Sequence, residues 1–89
     1  MNDICINCAR LHSREELHDT LAQKLSFPDY YGKNLDALYD CLSELSCPVH
    51  LTLLHFDQLG ELLGEYTLWL RQVFEEAEMS NDLLAVTFS

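Results

Sequence analysis

The run Val49-His50-Leu51-Thr52-Leu53-Leu54 limits the fold more than any other part of the chain. It is nearly continuous in apolar residues, broken only by His50 and Thr52, which suits a buried strand of a parallel sheet. Ile4 and Ile6 mark a shorter strand near the start, and Leu83 to Phe88 reads as a third. The intervening segments have helical periodicity. Ser13-Arg14-Glu15-Glu16 matches a capping box, and Leu17, Leu21 and Leu25 follow on one face of a helix over 13–25. Pro28 and Gly32 break the chain. Asn34 then caps a second helix whose apolar face is Leu35, Leu38 and Leu42. Cys47-Pro48 closes that connection. Asp57 to Leu63 predicts a short helix ended by Gly64. Tyr66 to Met79 predicts the longest helix, with Trp69, Leu70, Val73, Phe74 and Ala77 on one side, and Ser80-Asn81-Asp82 a turn. The order strand, helix, helix, strand, helix, helix, strand predicts an α/β fold of parallel strands joined by right-handed crossovers.

Eighty-nine residues predict one domain, residues 1–89, with a modest core. The opening Met1-Asn2-Asp3 carries an acid and the apolar stretch behind it is short, so no signal peptide is read and the expected compartment is the cytoplasm. No apolar run approaches the length of a membrane span. Fifteen acids against five basic residues leave a net charge of −10, and beyond residue 41 the only basic side chain is Arg71. Direct nucleic-acid binding needs Lys and Arg against phosphate, and an anionic membrane would repel this surface, so neither partner is expected. A basic protein would be attracted. Acidity that only maintains solubility stays open beside that reading. Cys5-Ile-Asn-Cys8 has the spacing of a zinc or redox motif. On a strand, however, positions three apart face opposite sides, and no second pair follows, so free thiols without metal are expected.

The stretch Phe27-Pro28-Asp29-Tyr30-Tyr31-Gly32-Lys33-Asn34-Leu35-Asp36-Ala37-Leu38-Tyr39-Asp40 carries the functional signal. Asp36 and Asp40 lie four apart at the start of a helix and so share a face, where like charges disfavour the helix by about 0.2–0.5 kcal/mol. Asp36 has a structural explanation, because the helix dipole favours an acid near the N-terminus. Asp40 lies beyond that influence. His12, His18, His50 and His55 form no catalytic or ligand spacing and read as structural or surface residues. Glycines 32, 60 and 64 are scattered, so there is no phosphate loop. A carboxylate pair can serve acid–base catalysis, but a domain this small has little room for a cleft, and no enzyme and no cofactor are expected. What the pair can do is imitate phosphates, entering a cationic pocket through charge-assisted hydrogen bonds while tyrosines add contact area.

The same stretch, together with Gln72-Val73-Phe74-Glu75-Glu76-Ala77, closely resembles the barstar family of small intracellular ribonuclease inhibitors, and the similarity runs along nearly the whole chain. The resemblance implies a three-stranded parallel sheet packed with about four helices. It also implies a one-to-one complex with a basic ribonuclease or nuclease toxin, held inactive in the producing cell as by an immunity protein or antitoxin. On this likeness Asp40 enters the phosphate site and Asp36 pairs with a basic residue at its rim. Tyr30 packs on a catalytic-site side chain, and Glu76 meets an arginine. Asn34, Leu35, Gly32, Tyr39 and Val73 border the interface. The chain departs from the best-known member at Tyr39, which stands for tryptophan, and at Lys33 and Ser80, each of which stands for an acid. The loop at Glu44-Leu45-Ser46 is also shorter. These departures bear on which nuclease is the target. The alternative is an acidic interaction module of the same fold that binds a different basic protein.

Overall fold

The strand read at Val49–Leu54 is the middle of the sheet. The computed structural model describes residues 2–89. Strands β1 (Asn2–Asn7), β2 (Val49–Leu54) and β3 (Leu84–Phe88) pair in the order β1-β2-β3, all parallel. Helices α1 (Arg14–Leu25) and α2 (Leu35–Ser43) connect β1 to β2, and α3 (Phe56–Leu63) and α4 (Tyr66–Ser80) connect β2 to β3. A short 3-10 turn, Cys8–Arg10, follows β1. This is the α/β architecture of a three-stranded parallel sheet with four helices.

The register explains which residues are buried. Ile4, Leu51 and Val86 align across the sheet, as do Ile6, Leu53 and Phe88, and these rows face the helices. The opposite rows are Asp3–His50–Ala85 and Cys5–Thr52–Thr87. Of these, Asp3, Cys5 and Thr87 are exposed. His50 spans this open face, its Nε2 lying 2.8 Å from Thr87 Oγ1 and its Nδ1 3.3 Å from Asp3 Oδ1. The expectation that β2 is buried on both sides therefore needs correction: it alternates, with Val49, Leu51 and Leu53 buried and His50, Thr52 and Leu54 partly exposed. The reason is topological. Crossovers of one hand that step across a sheet in one direction deliver their helices to one face.

Local signals place the helices. Ser13 Oγ accepts from Glu16 N at 3.0 Å, one arm of the predicted capping box. The return arm is absent, because the Glu16 carboxylate turns to His12 Nδ1 at 3.4 Å. Leu38 and Leu42 are fully buried on α2. Each contributes about 1.5–3 kcal/mol relative to exposure, several times the like-charge penalty of Asp36 and Asp40, so α2 forms with both acids on its outer face. Trp69 does not join the core of α4 as expected. It is 55% exposed, and Tyr66, Thr67, Leu70, Phe74 and Ala77 are buried instead. Sequence polarity placed Trp69 with the core, whereas the packed face is centred on Leu70, and Trp69 lies on its flank.

Two contacts align α2 with α4. Tyr39 Oη lies 2.6 Å from Ser80 Oγ. Buried Asn81 donates through Nδ2 to the carbonyls of Leu42, Ser43 and Leu45, at 3.0, 3.3 and 3.1 Å, and its Oδ1 accepts from Leu83 N at 3.0 Å. One amide thus satisfies the open carbonyls at the end of α2 and the turn into β3. Asn81→Ala should destabilise the fold by about 1–3 kcal/mol, measured as a lower midpoint in chemical denaturation; an unchanged midpoint would show that water replaces the amide without loss.

Candidate functional site

The loop between α1 and α2 is shaped by three local constraints. Asn34 Oδ1 accepts from Ala37 N at 2.8 Å, the expected N-cap of α2, while its Nδ2 donates to Gly32 O at 3.3 Å. A Cβ at Gly32 would meet Asn34 Nδ2 at 3.0 Å, so a side chain there would crowd the cap. Lys33 adopts a left-handed conformation, φ 54°, which is unfavourable for a residue with a Cβ. Its ammonium reaches back to α1, 2.8 Å from Asp19 Oδ1 and 3.7 Å from Glu15 Oε1. The hydrogen bond to Asp19 raises the Lys33 pKa. This basic side chain therefore serves α1 and does not neutralise the acids of α2.

The paired tyrosines have opposite fates. Tyr30 is 87% exposed, while Tyr31 is buried with its ring 5.0 Å from that of Phe27. Tyr31 Oη lies 2.6 Å from His18 Nδ1, and Tyr66 Oη lies 2.7 Å from His18 Nε2. His18 is fully buried, the structural one of the two readings left open for it: the loop folds over α1 and covers it. Neutral imidazole has one donor and one acceptor nitrogen, so it donates to one hydroxyl and accepts from the other. Burial, with the positive charge of Arg14 next in weight, lowers the His18 pKa. Burial also raises those of Tyr31 and Tyr66, keeping both phenols protonated. The network ties the loop to α1 and to the first turn of α4.

Asp36 and Asp40 project from the helix so held. Both are exposed, and among the described residues neither carboxylate has a hydrogen-bond or ion-pair partner. On α4, Val73 is half-buried and Glu76 exposed, the latter accepting from Gln72 Nε2 at 3.3 Å. Leu35 and Tyr39 are half-buried on α2. The residues singled out from sequence thus fall on two adjacent helices and the loop before them. Tyr39 and Ser80, on α2 and at the end of α4, are in contact with each other. Trp69 was missed as a surface residue although its spacing to Val73 and Glu76, i, i+4 and i+7, already placed it on their stripe. For His18 no sequence signal was available, because its partners are 13 and 48 residues away.

Cys8 is buried, and its thiol is pushed up to about 11 by that burial, with Cys5 adding to it. Cys5 is exposed on the open face of the sheet, so the pair does not share a side. Among the described residues no group of three or more His, Cys, Asp or Glu is placed to hold a metal ion. No helix among them is long and apolar enough to cross a membrane.

Two strand–helix–helix–strand crossovers that share β2 build a small three-stranded parallel α/β fold, with an exposed acidic pair and a held tyrosine loop on its helices. The chain belongs to the barstar family: the family model described as "Barstar (barnase inhibitor)" matches residues 1–88. It is also 43% identical over 79 residues to the Bacillus subtilis (strain 168) protein named "Putative ribonuclease inhibitor YrdF", covering 88% of this chain and 87% of that one.

The buried imidazole sets a pH dependence. The unfolded chain takes up a proton on His18 near pH 6.5, whereas the folded chain resists it to lower pH. Between those values the unfolded state binds more protons, so this contribution is complete above about pH 6.5 and is lost as pH falls through the folded value. Denaturation between pH 5 and 8 should show wild-type stability falling on the acid side and a shallower fall in His18→Gln. Identical slopes would mean that His18 carries no such linkage.

Proposed function

We propose that this chain inhibits a ribonuclease by placing Asp40 and Asp36 where the nuclease binds RNA phosphates. The observation that carries this reading is the exposed, unpartnered carboxylate pair on a helix fixed at both ends, by the Asn34 cap and by Asn81. Asp36 gains from the dipole at the start of α2, but Asp40 gains nothing from the fold and is repelled by Asp36; its gain comes from a cationic pocket. Membership of the barstar family and the likeness to the Bacillus subtilis protein named as a ribonuclease inhibitor support the same reading. The 1–89 unit acts as one domain in a one-to-one complex. Tyr30 packs on the nuclease active site, Glu76 pairs with an arginine, and Gly32, Asn34, Leu35, Tyr39 and Val73 border the contact. The complex forms in the cytoplasm of the producing cell, as immunity to its own exported nuclease. The protein itself performs no catalysis. Lys33, drawn to Asp19, and the Tyr39–Ser80 contact alter the rim and not the acidic pair, which favours a different target nuclease over a different mechanism.

Asp40→Ala should weaken inhibition more than any other single change, with Asp36→Ala, Tyr30→Ala and Glu76→Ala next. Removing Asp40 leaves buried cations unpaired, which costs about 3–5 kcal/mol. The same variant should fold as stably as wild type, or slightly more so, because the Asp36 repulsion is gone. RNA-cleavage titration and denaturation on one preparation test both halves; a destabilised Asp40→Ala that still inhibits would make Asp40 a structural residue and sink the phosphate-mimic mechanism.

Association should be fastest at low salt and slow as ionic strength rises, since the net charge of −10 attracts a basic partner and the screening length is only about 10 Å at 0.1 M. Stopped-flow rates across a salt series read this directly. A flat dependence would assign the acidity to solubility alone.

A further inference from the structure

Beside the acidic pair lies a groove of about 620 Å³ between the first turns of α2 and α4. Its lining includes Trp69, Arg14, Leu63, Leu35, Asp36 and Glu65. We propose that it receives a projecting loop of the inhibited ribonuclease, which lays an apolar side chain on the Trp69 indole and sets a carboxylate against Arg14. This inference rests on the inhibitor reading and adds a second, oppositely charged contact that selects among nucleases.

Continuity is the first argument. Asn34, Leu35 and Asp36 line the groove and also belong to the proposed inhibitory surface. Trp69 stands on the α4 stripe that carries Val73 and Glu76. A partner seated on Asp36 and Asp40 therefore meets the groove without any change in fold. Charge is the second argument. Lys33 is committed to Asp19 and Glu15. Arg14 pairs with no carboxylate among the described residues, and its guanidinium is stacked 4.2 Å from the Tyr66 ring centroid. Tyr66 is itself anchored on His18, so Arg14 is presented in a fixed place. In a chain of net charge −10 this is a local site for an anion. Asp36 and Glu65 also line the groove and repel a carboxylate set away from Arg14, which fixes the register of the partner. The third argument is Trp69 itself, 55% exposed in the groove, where its large apolar face stays in water until a partner covers it.

The two contacts have different work. Ribonucleases share a cationic pocket for phosphate, so Asp36 and Asp40 recognise a property common to the class. The groove instead recognises what one projecting loop carries, a carboxylate beside an apolar side chain. Discrimination between nucleases therefore falls to the groove.

Trp69 is the only tryptophan in the chain, so incorporation of 5-fluorotryptophan gives one fluorine resonance that reports on the groove. The probe is an unlabelled barnase-type ribonuclease that the wild-type chain inhibits. The resonance is expected to shift and to lose its sensitivity to solvent deuteration at one equivalent of nuclease. Trp69→Ala and Arg14→Gln are each expected to weaken inhibition about tenfold with denaturation midpoints near that of wild type. An unmoved resonance, with both variants inhibiting as wild type while Asp40→Ala fails, overturns the groove and leaves the inhibitor mechanism standing. The opposite pattern, full inhibition by Asp36→Ala and Asp40→Ala with loss in Trp69→Ala, overturns the phosphate-mimic mechanism and supports the groove. A free protein whose resonance is already shielded, and which sediments as a dimer, assigns the groove to a second copy and overturns the proposal.

Discussion

The His18 imidazole joins two hydroxyls that lie far apart in the chain, and the rest of the functional surface depends on that junction. Tyr31 belongs to the loop before α2 and Tyr66 to the first turn of α4. With both bonded to one buried ring, the loop is drawn onto α1, Tyr31 points inward and Tyr30 is left outside. A buried imidazole without partners would be costly to desolvate; with one donor and one acceptor bond it is satisfied in its neutral form. The same network fixes the Tyr66 ring over which Arg14 stacks. A single buried imidazole, through two hydrogen bonds, thus orients both the loop tyrosine and the groove beside it.

Packing and recognition are divided between the faces of two helices. α2 and α4 bury leucine, phenylalanine and alanine against one side of the sheet, and this burial far exceeds the repulsion between surface acids. The surplus lets the outer face of α2 carry Asp40, a charge that does nothing for stability. Asn81 and the Tyr39–Ser80 contact hold the two helices in register, so the outer residues of α2 keep a fixed place relative to those of α4. A rigid display of this kind limits the entropy lost on binding.

Much of the fold is legible without coordinates because its signals are local. Ser13 and Asn34 cap helices as their types and positions predict, and the apolar runs at Val49–Leu54 and Leu84–Phe88 are strands. The acidic pair is legible for the same reason: a four-residue spacing on a helix places two side chains together whatever the surroundings. His18 and Trp69 are not legible in this way. A histidine beside Leu17 looks like an edge residue until a loop is known to cover it, and a tryptophan in an apolar helix looks like core until the packed face is known to centre on Leu70. His50 and Thr52 break an otherwise buried strand because no layer covers their side of the sheet.

The sequence by itself determined the order of strands and helices, the caps, the acidic charge and the pairing of Asp36 with Asp40, since each depends on neighbours within about one helical turn or on composition. The tertiary structure alone decided which tyrosine of the pair is presented, where Lys33 spends its charge, that Tyr39 meets Ser80, and that Trp69 and Arg14 border one groove. Those outcomes depend on contacts between segments far apart in the chain. Such contacts are chosen by how α1, α2 and α4 pack on one face of the sheet, and no short-range pattern encodes that choice.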